Sequence, residues 1–161
     1  MIMNNRGYKL PEKMVNNLGH FDQIITRYNA NLILDGRVLL HCMRKEDEML
    51  IDLMTQHQSG LLCVYCKPET IQFQNLLESA HSVLLMKGRI RFEDVKYNSI
   101  IPSNAPYGTA IFSFSQSDTF VLYNSGLNGK VICLKQPDIA EFPEKKSFTL
   151  NKGQILFNKT Q

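Results

Sequence analysis

Apolar residues along this chain follow two rhythms, a helical spacing in some stretches and short unbroken runs in others. From Pro11 to Tyr28, Met14, Leu18, Phe21, Ile24 and Ile25 recur close to helical spacing. This predicts a helix with Pro11 in its first turn and a break where Gly19 falls. Leu32-Ile33-Leu34 and Val38-Leu39-Leu40 flank Asp35-Gly36 and read as two strands joined by a hairpin or by a bend between successive strands. Lys45 to Gln58 places Met49, Leu50, Leu53 and Met54 on one face, with acids in the first turn and Gly60 just past the end, which predicts a helix. Leu61 to Cys66 is a buried-type strand. Pro68 to Ser79 is a helix with Ile71, Phe73, Leu76 and Leu77 as its apolar positions.

Val83 to Phe92 reads as one strand, or as two broken at Gly88. Thr109–Ser115, Phe120–Tyr123 and Lys130–Leu134 read as further strands, the last two joined by the turn-rich segment from Asn124 to Gly129. Gln136 to Lys146 is loop-like, and Ser147 to Phe157 predicts a terminal hairpin around Asn151-Lys152-Gly153. Strands alternating with helices, then a run of strands, predict an α/β fold with flanking helices and a mixed sheet whose late strands are antiparallel. The 161 residues are expected to form a single domain, with an α/β core over 1–115 and a C-terminal β extension over 116–161.

Composition adds exclusions. No apolar run approaches the roughly 18 residues of a membrane span, and Met1-Ile2-Met3-Asn4-Asn5-Arg6 lacks a signal-peptide pattern. The expected location is a cytoplasm, where the 4 cysteines are reduced thiols. Cys63-Val64-Tyr65-Cys66 has C-x-x-C spacing, but it lies in an apolar strand in which positions three apart point to opposite faces, and no second pair completes a zinc site. A net charge of +3 permits a nucleic-acid or acidic partner without requiring one.

Motifs for catalysis are absent. The 4 histidines have no i, i+4 partner of the metal-binding kind. His41 and Cys42, as neighbours on a strand, point apart rather than forming a thiol–imidazole pair. Glu46, Asp47, Glu48 and Asp52 read as the acidic start of a helix. The basic residues carry the candidate site. Arg37, Arg44 and Lys45 are read near the carboxyl end of one strand, Lys67 at the end of the next, and Lys87, Arg89 and Arg91 alternate along a third. Ligands collect at such ends in open α/β sheets. Arg89 and Arg91 would share a face, to meet a phosphate or acidic surface or to pair with Glu93 or Asp94. Tyr97, Tyr107 and Tyr123 in nearby loops would stack on bases or cap the core.

One block reaches beyond composition: Lys87-Gly88-Arg89-Ile90-Arg91-Phe92, then Asn104-Ala105-Pro106-Tyr107-Gly108 opening the run Thr109 to Phe114. Together with the preceding helix, strand, Lys67-Pro68 and helix, the block resembles the C-terminal part of phage-type DNA adenine methyltransferases. These carry a "KGRI-x-F" segment and a strand introduced by an "APF-small-small" turn. The likeness covers roughly Lys45 to Ser115, and Lys9-Leu10-Pro11 is similar to the family's opening helix.

The resemblance implies a reduced, Rossmann-like methyltransferase fold. It also exposes a gap. The family binds S-adenosylmethionine through a loop after its first strand, here Leu32 to Asp35. Its chemistry uses an Asn/Asp-Pro-Pro-Tyr/Phe motif, where this chain has His41-Cys42-Met43-Arg44. The expectation is therefore a degenerate, non-catalytic phage or mobile-element protein without a cofactor, working in a host bacterial cytoplasm. It would bind a host defence protein complex or nucleic acid, with no membrane partner, and inhibit a restriction or CRISPR-type nuclease (anti-restriction or anti-CRISPR). The alternative is an S-adenosylmethionine-dependent DNA adenine methyltransferase, or a subunit of one. The strands after Ser115 are expected to support a homodimer.

Overall fold

The computed structural model describes residues 8–94, 105–135, 149–151 and 154–156. Among the described residues ten strands form in chain order: β1 (Tyr8–Lys9), β2 (Gln23–Ile25), β3 (Val38–Cys42), β4 (Gly60–Tyr65), β5 (Ser82–Met86), β6 (Glu93–Asp94), β7 (Thr109–Ser113), β8 (Gly129–Cys133), β9 (Thr149–Asn151) and β10 (Gln154–Leu156). Four α-helices accompany them: α1 (Glu12–Asn16), α2 (Met49–His57), α3 (Ile71–Ser79) and α4 (Gln116–Asn124). A 3-10 turn over Lys45–Asp47 leads into α2.

Six strands make one mixed sheet in the order β2-β3-β4-β7-β5-β8. β2, β3 and β4 are parallel, whereas β7 runs antiparallel between β4 and β5, and β8 is antiparallel on the far side of β5. The α/β class with a mixed sheet and flanking helices is therefore observed. Central strands are buried on both faces, as their near-continuous apolar runs require. Leu40, Leu62, Val83 and Phe112 face a core closed by Leu50 and Met54 of α2 and by Phe73 and Leu76 of α3. Leu39, Leu61, Cys63, Leu84 and Ile111 face the opposite core, closed by Met14 of α1, Leu122 of α4 and the extended residues Ile90 and Phe92.

Four element readings are corrected. The helix expected over 11–28 stops at Asn16, because Gly19 turns into the left-handed region (φ 87°) and Gln23 to Ile25 pair with β3. Leu32-Ile33-Leu34 is not a strand. Ile33 is 80% exposed, and β2 and β3 are parallel, so Asp35-Gly36 closes no hairpin. The ladder of β5 ends at Met86, and residues 87–92 continue outside any strand after Gly88 at φ 78°. Phe120–Tyr123 is helical: Ser115 caps α4 by accepting from the Asp118 amide, which outweighs the strand preference of Phe, Val and Tyr. The segment after residue 115 is thus not all β, and β8 belongs to the main sheet. The terminal hairpin is present as the antiparallel pair β9 and β10. The loop reading over 136–146 lies outside the described residues.

Candidate functional site

The register brings the carboxyl ends of β3, β4 and β5 to one edge of the sheet. Tyr65 pairs with Thr109 and Met86 with Gly129, so the start of β7 and the start of β8 lie on that edge too. Arg44, Lys45, Lys67, the Lys87–Arg91 segment, Tyr107 and Lys130 consequently share one rim. At roughly 4.8 Å per strand, the rim from β4 to β8 covers about 14 Å. Backbone bonds hold its loops: Cys66 N–H to Gly108 O (2.8 Å), Lys87 N–H to Asn128 O (2.8 Å) and Ala105 N–H to Ile90 O (2.9 Å).

Two halves of the rim differ in chemistry. On the β3–β4 side, the Lys67 ammonium lies 4.1 Å from the centre of the Tyr107 ring and 5.9 Å from that of Tyr65, and the two rings are 5.4 Å apart. Tyr107 remains 45% exposed, so this cation–aromatic group presents a flat surface to solvent. Beside it a cavity of about 220 Å³ opens between α2 and α3, bordered by Cys42, Arg44, Lys45, Tyr65, Lys67 and Phe73. Arg44 is already engaged, donating from Nε (2.7 Å) and Nη2 (3.1 Å) to the buried Asp47, which also accepts the Tyr28 amide. On the β5–β8 side, Lys87 and Arg89 are exposed and Arg91 shares their side of the chain, while Ile90 and Phe92 turn inward. The alternation foreseen for Arg89 and Arg91 therefore holds in an extended segment outside the ladder. A shallow groove of about 360 Å³ runs past these cations, Met14, Ile90 and Leu127.

Arg37 lies elsewhere, and its reading is corrected. It precedes β3 and so stands at the amino end of the sheet, where Nε binds Asp118 (2.7 Å), Nη1 donates to the His20 carbonyl (2.8 Å) and the guanidinium covers Phe21 (4.3 Å). Asp118 also accepts the Gly60 amide (2.9 Å) and the Ser115 hydroxyl (3.0 Å). Nearby, Thr119 is bonded to Ser82, Ser113 and the His81 ring, each at 2.8 Å. Tyr97 lies outside the described residues. Tyr123 is on α4, with its hydroxyl 3.5 Å from the Cys133 sulfur, and not in a loop. Sequence reading missed Tyr65 and Lys130; the strand-exit Tyr two residues before Lys67 was the available signal for the first.

The positions where the resemblance implies chemistry hold closed groups. Burial and the nearby acids Asp47 and Glu48 push the Cys42 thiol up to about 12, and its Sγ–H donates to the Asp47 carbonyl. That keeps it protonated and unreactive near neutrality. Burial lowers His41 to about 4, so its imidazole is neutral. The two side chains point to opposite faces, as expected for neighbours on a strand. Cys63 and Cys66 of the C-x-x-C spacing likewise belong to opposite cores. The residues do not fit S-adenosylmethionine as the resemblance places it. The loop that would receive it is drawn to the amino end of the sheet, where Gln23 bonds the Asp35 amide (3.0 Å) and Asp22 the Arg37 amide (2.8 Å). Among the described residues no group of three His, Cys, Asp or Glu is placed to hold a metal, and no helix is long and apolar enough to cross a membrane. Comparison with protein-family models, curated proteins and solved structures finds no match for this chain.

Proposed function

We propose that this chain is a non-catalytic binding protein that holds single-stranded nucleic acid along the carboxyl rim of its sheet. The observation that carries the reading is the placement of the Tyr65–Tyr107–Lys67 group on the same edge as Lys87, Arg89 and Lys130. Single strands are bound by aromatic side chains that stack on bases beside cations that follow the phosphates, without sequence preference. An exposed ring finds no free base face in an intact duplex, so the group favours a single strand. Arg44 contributes less, since Asp47 already takes two of its donors and neutralises its charge.

The sequence resemblance to phage-type methyltransferases supports the non-catalytic half of the reading. Helix α2, β4 running out to Lys67-Pro68, helix α3, β5, the Lys87–Phe92 segment and β7 follow one another in the order the resemblance implies. The polar motif after β3 is replaced by His41-Cys42-Met43-Arg44. In a phage or mobile element, such a protein would occupy the nucleic acid that a host restriction or CRISPR-type nuclease requires.

The test is fluorescence anisotropy with labelled single-stranded and duplex oligonucleotides across a salt series. Preference for the single strand, with log K falling by about 0.7 per phosphate contact for each unit of log salt, is expected. Equal or tighter binding to duplex overturns the single-strand reading. Micromolar binding of S-adenosylmethionine in calorimetry overturns the non-catalytic one.

A further inference from the structure

A further cavity, of about 260 Å³, lies between α1 and the β2–β3 pair, on the other face of the sheet from α2 and α3. Its walls are Leu10, Val15 and Ile24, its rim carries Lys9, Glu12 and Asn16, and Thr26 and His41 border it from the sheet. Two observations there are unexplained by packing. Ile24 is 55% exposed, an apolar side chain left at the mouth of an apolar space. His41 is only 4% exposed, and its Nε2 has no hydrogen-bond partner. A buried polar atom left without a partner costs about 1–3 kcal/mol, so in native proteins such an atom calls for a partner, either an ordered water or a bound group.

We propose that this cavity binds a small uncharged nitrogen heteroaromatic molecule, its faces against Leu10, Val15 and Ile24 and a polar ring atom hydrogen-bonded to the His41 imidazole. The chemistry follows from the walls. Ligand sites combine mostly apolar linings with a few placed polar groups. A planar heterocycle carries its polar atoms on the ring edge and leaves both faces apolar, which matches one imidazole among aliphatic side chains. The neutral ring offers one donor and one acceptor, so it suits a partner without charge. Lys9 and Glu12 bring one charge of each sign to the rim, and Lys9 is paired with Glu93 at 3.7 Å. The Phe92 ring, 5.3 Å from that of His41, extends the aromatic surface inward. The volume suits one or two fused rings.

Benzimidazole is the probe, titrated into the full chain while the Leu10, Val15 and Ile24 methyl resonances are followed. Saturable shifts confined to these methyls are expected. His41→Phe, which keeps the ring volume and removes the hydrogen bond, should weaken binding about tenfold or more. Ile24→Arg, at an exposed position that leaves the core intact, should block the mouth and abolish the shifts. The inference does not rest on nucleic-acid binding, and oligonucleotide affinity should be unchanged in His41→Phe, which leaves the charge of the surface as it is. Absence of saturable shifts at millimolar benzimidazole overturns the inference, since it leaves a buried water as the partner of His41. Equal binding by folded His41→Phe, or by Ile24→Arg, overturns it as well.

Discussion

Arg37 and Lys67 occupy opposite ends of the same sheet, and their surroundings differ in kind. At the amino end the guanidinium of Arg37 bonds Asp118 and the His20 carbonyl, and Asp118 in turn ties down Gly60 and Ser115. Ser82, Ser113, Thr119 and His81 join hydroxyl to hydroxyl to imidazole beside them. This end spends its polar groups on holding α4 against the sheet. At the carboxyl end Lys87 and Arg89 stand on an exposed segment and Lys130 at the exposed start of β8, and half-buried Lys67 rests on an aromatic ring in place of a carboxylate, while Arg44 is held by Asp47. A buried charge network tied to several elements reports on stability, even with Arg37 Nη2 left without a partner, whereas exposed charge beside an accessible ring reports on binding. The same residue types thus carry different meanings according to which end of a strand they leave.

The sharpest way to break this comparison is at the amino end, where substitutions should unfold the protein. Gly60 has φ 118°, and a Cβ there would stand 1.9 Å from the Val38 carbonyl oxygen. Gly60→Ala is expected to cost upward of about 4 kcal/mol, the range in which a domain of this size fails to fold. Asp118→Ala leaves the Arg37 charge and the Gly60 amide without their acceptor, and should cost about 3–5 kcal/mol in urea denaturation. A loss below about 1 kcal/mol in either variant would remove the distinction between the ends.

A pH measurement comes next in size. Unfolded His41 titrates near its ordinary value of 6.5, while the folded group is held down to about 4 by burial, against a smaller opposing pull from Asp47. Between those values the unfolded state binds more protons. Stability is therefore fully present above pH 6.5 and falls as the pH drops toward 4, by about 3 kcal/mol in all. Below pH 4 this contribution is flat. Carboxylates add their own acid sensitivity, so the reading is the difference between wild type and His41→Phe across the window. Parallel pH curves for the two proteins would show that His41 is not buried neutral.

Much of this division was legible in the sequence, and the gaps have physical causes. The run at Leu61–Cys66 and the helical spacing of Leu50, Met54, Phe73 and Leu76 gave a strand and helices close to their observed bounds, because burial on one stripe or on both faces dominates there, whereas the mostly exposed β8 was legible from its β-branched Val131-Ile132 pair after a turn-rich segment. The failures lie where local and tertiary preferences compete. Ile24 and Ile25 continue the spacing of Met14 and Leu18, yet the left-handed turn at Gly19 ends the helix and leaves them free to pair with β3. Ser115 and Asp118 marked a helix start that the β-rich Phe120–Tyr123 run concealed. Lys67 was placed at the exit of its strand from position alone, whereas Lys87 and Arg89, read along a strand, lie just past the end of β5 at Met86. Arg37 was misplaced, because in a parallel strand the residue before Val38 belongs to the opposite end, and its partner Asp118 is too distant in sequence to be inferred.

At the rim itself the expected effects are on binding, with stability unchanged within about 0.5 kcal/mol. Tyr107→Ala removes the exposed ring of the Lys67 group and should cost about 1–3 kcal/mol of single-strand affinity, similarly for every oligonucleotide, because a stacked base is recognised by its face. Lys87→Ala and Arg89→Ala should each weaken binding less at moderate salt, and each should reduce the magnitude of the log–log salt slope by about 0.7 if one phosphate contact is lost. Tyr107→Ala should leave that slope in place. The separation matters more than either size: an aromatic that changes affinity without the slope, and cations that change the slope, identify the two halves of the rim as base-facing and phosphate-facing. If Tyr107→Ala lowers the slope as Arg89→Ala does, Tyr107 serves to position Lys67 on a phosphate, and the rim is one electrostatic surface without a stacking platform.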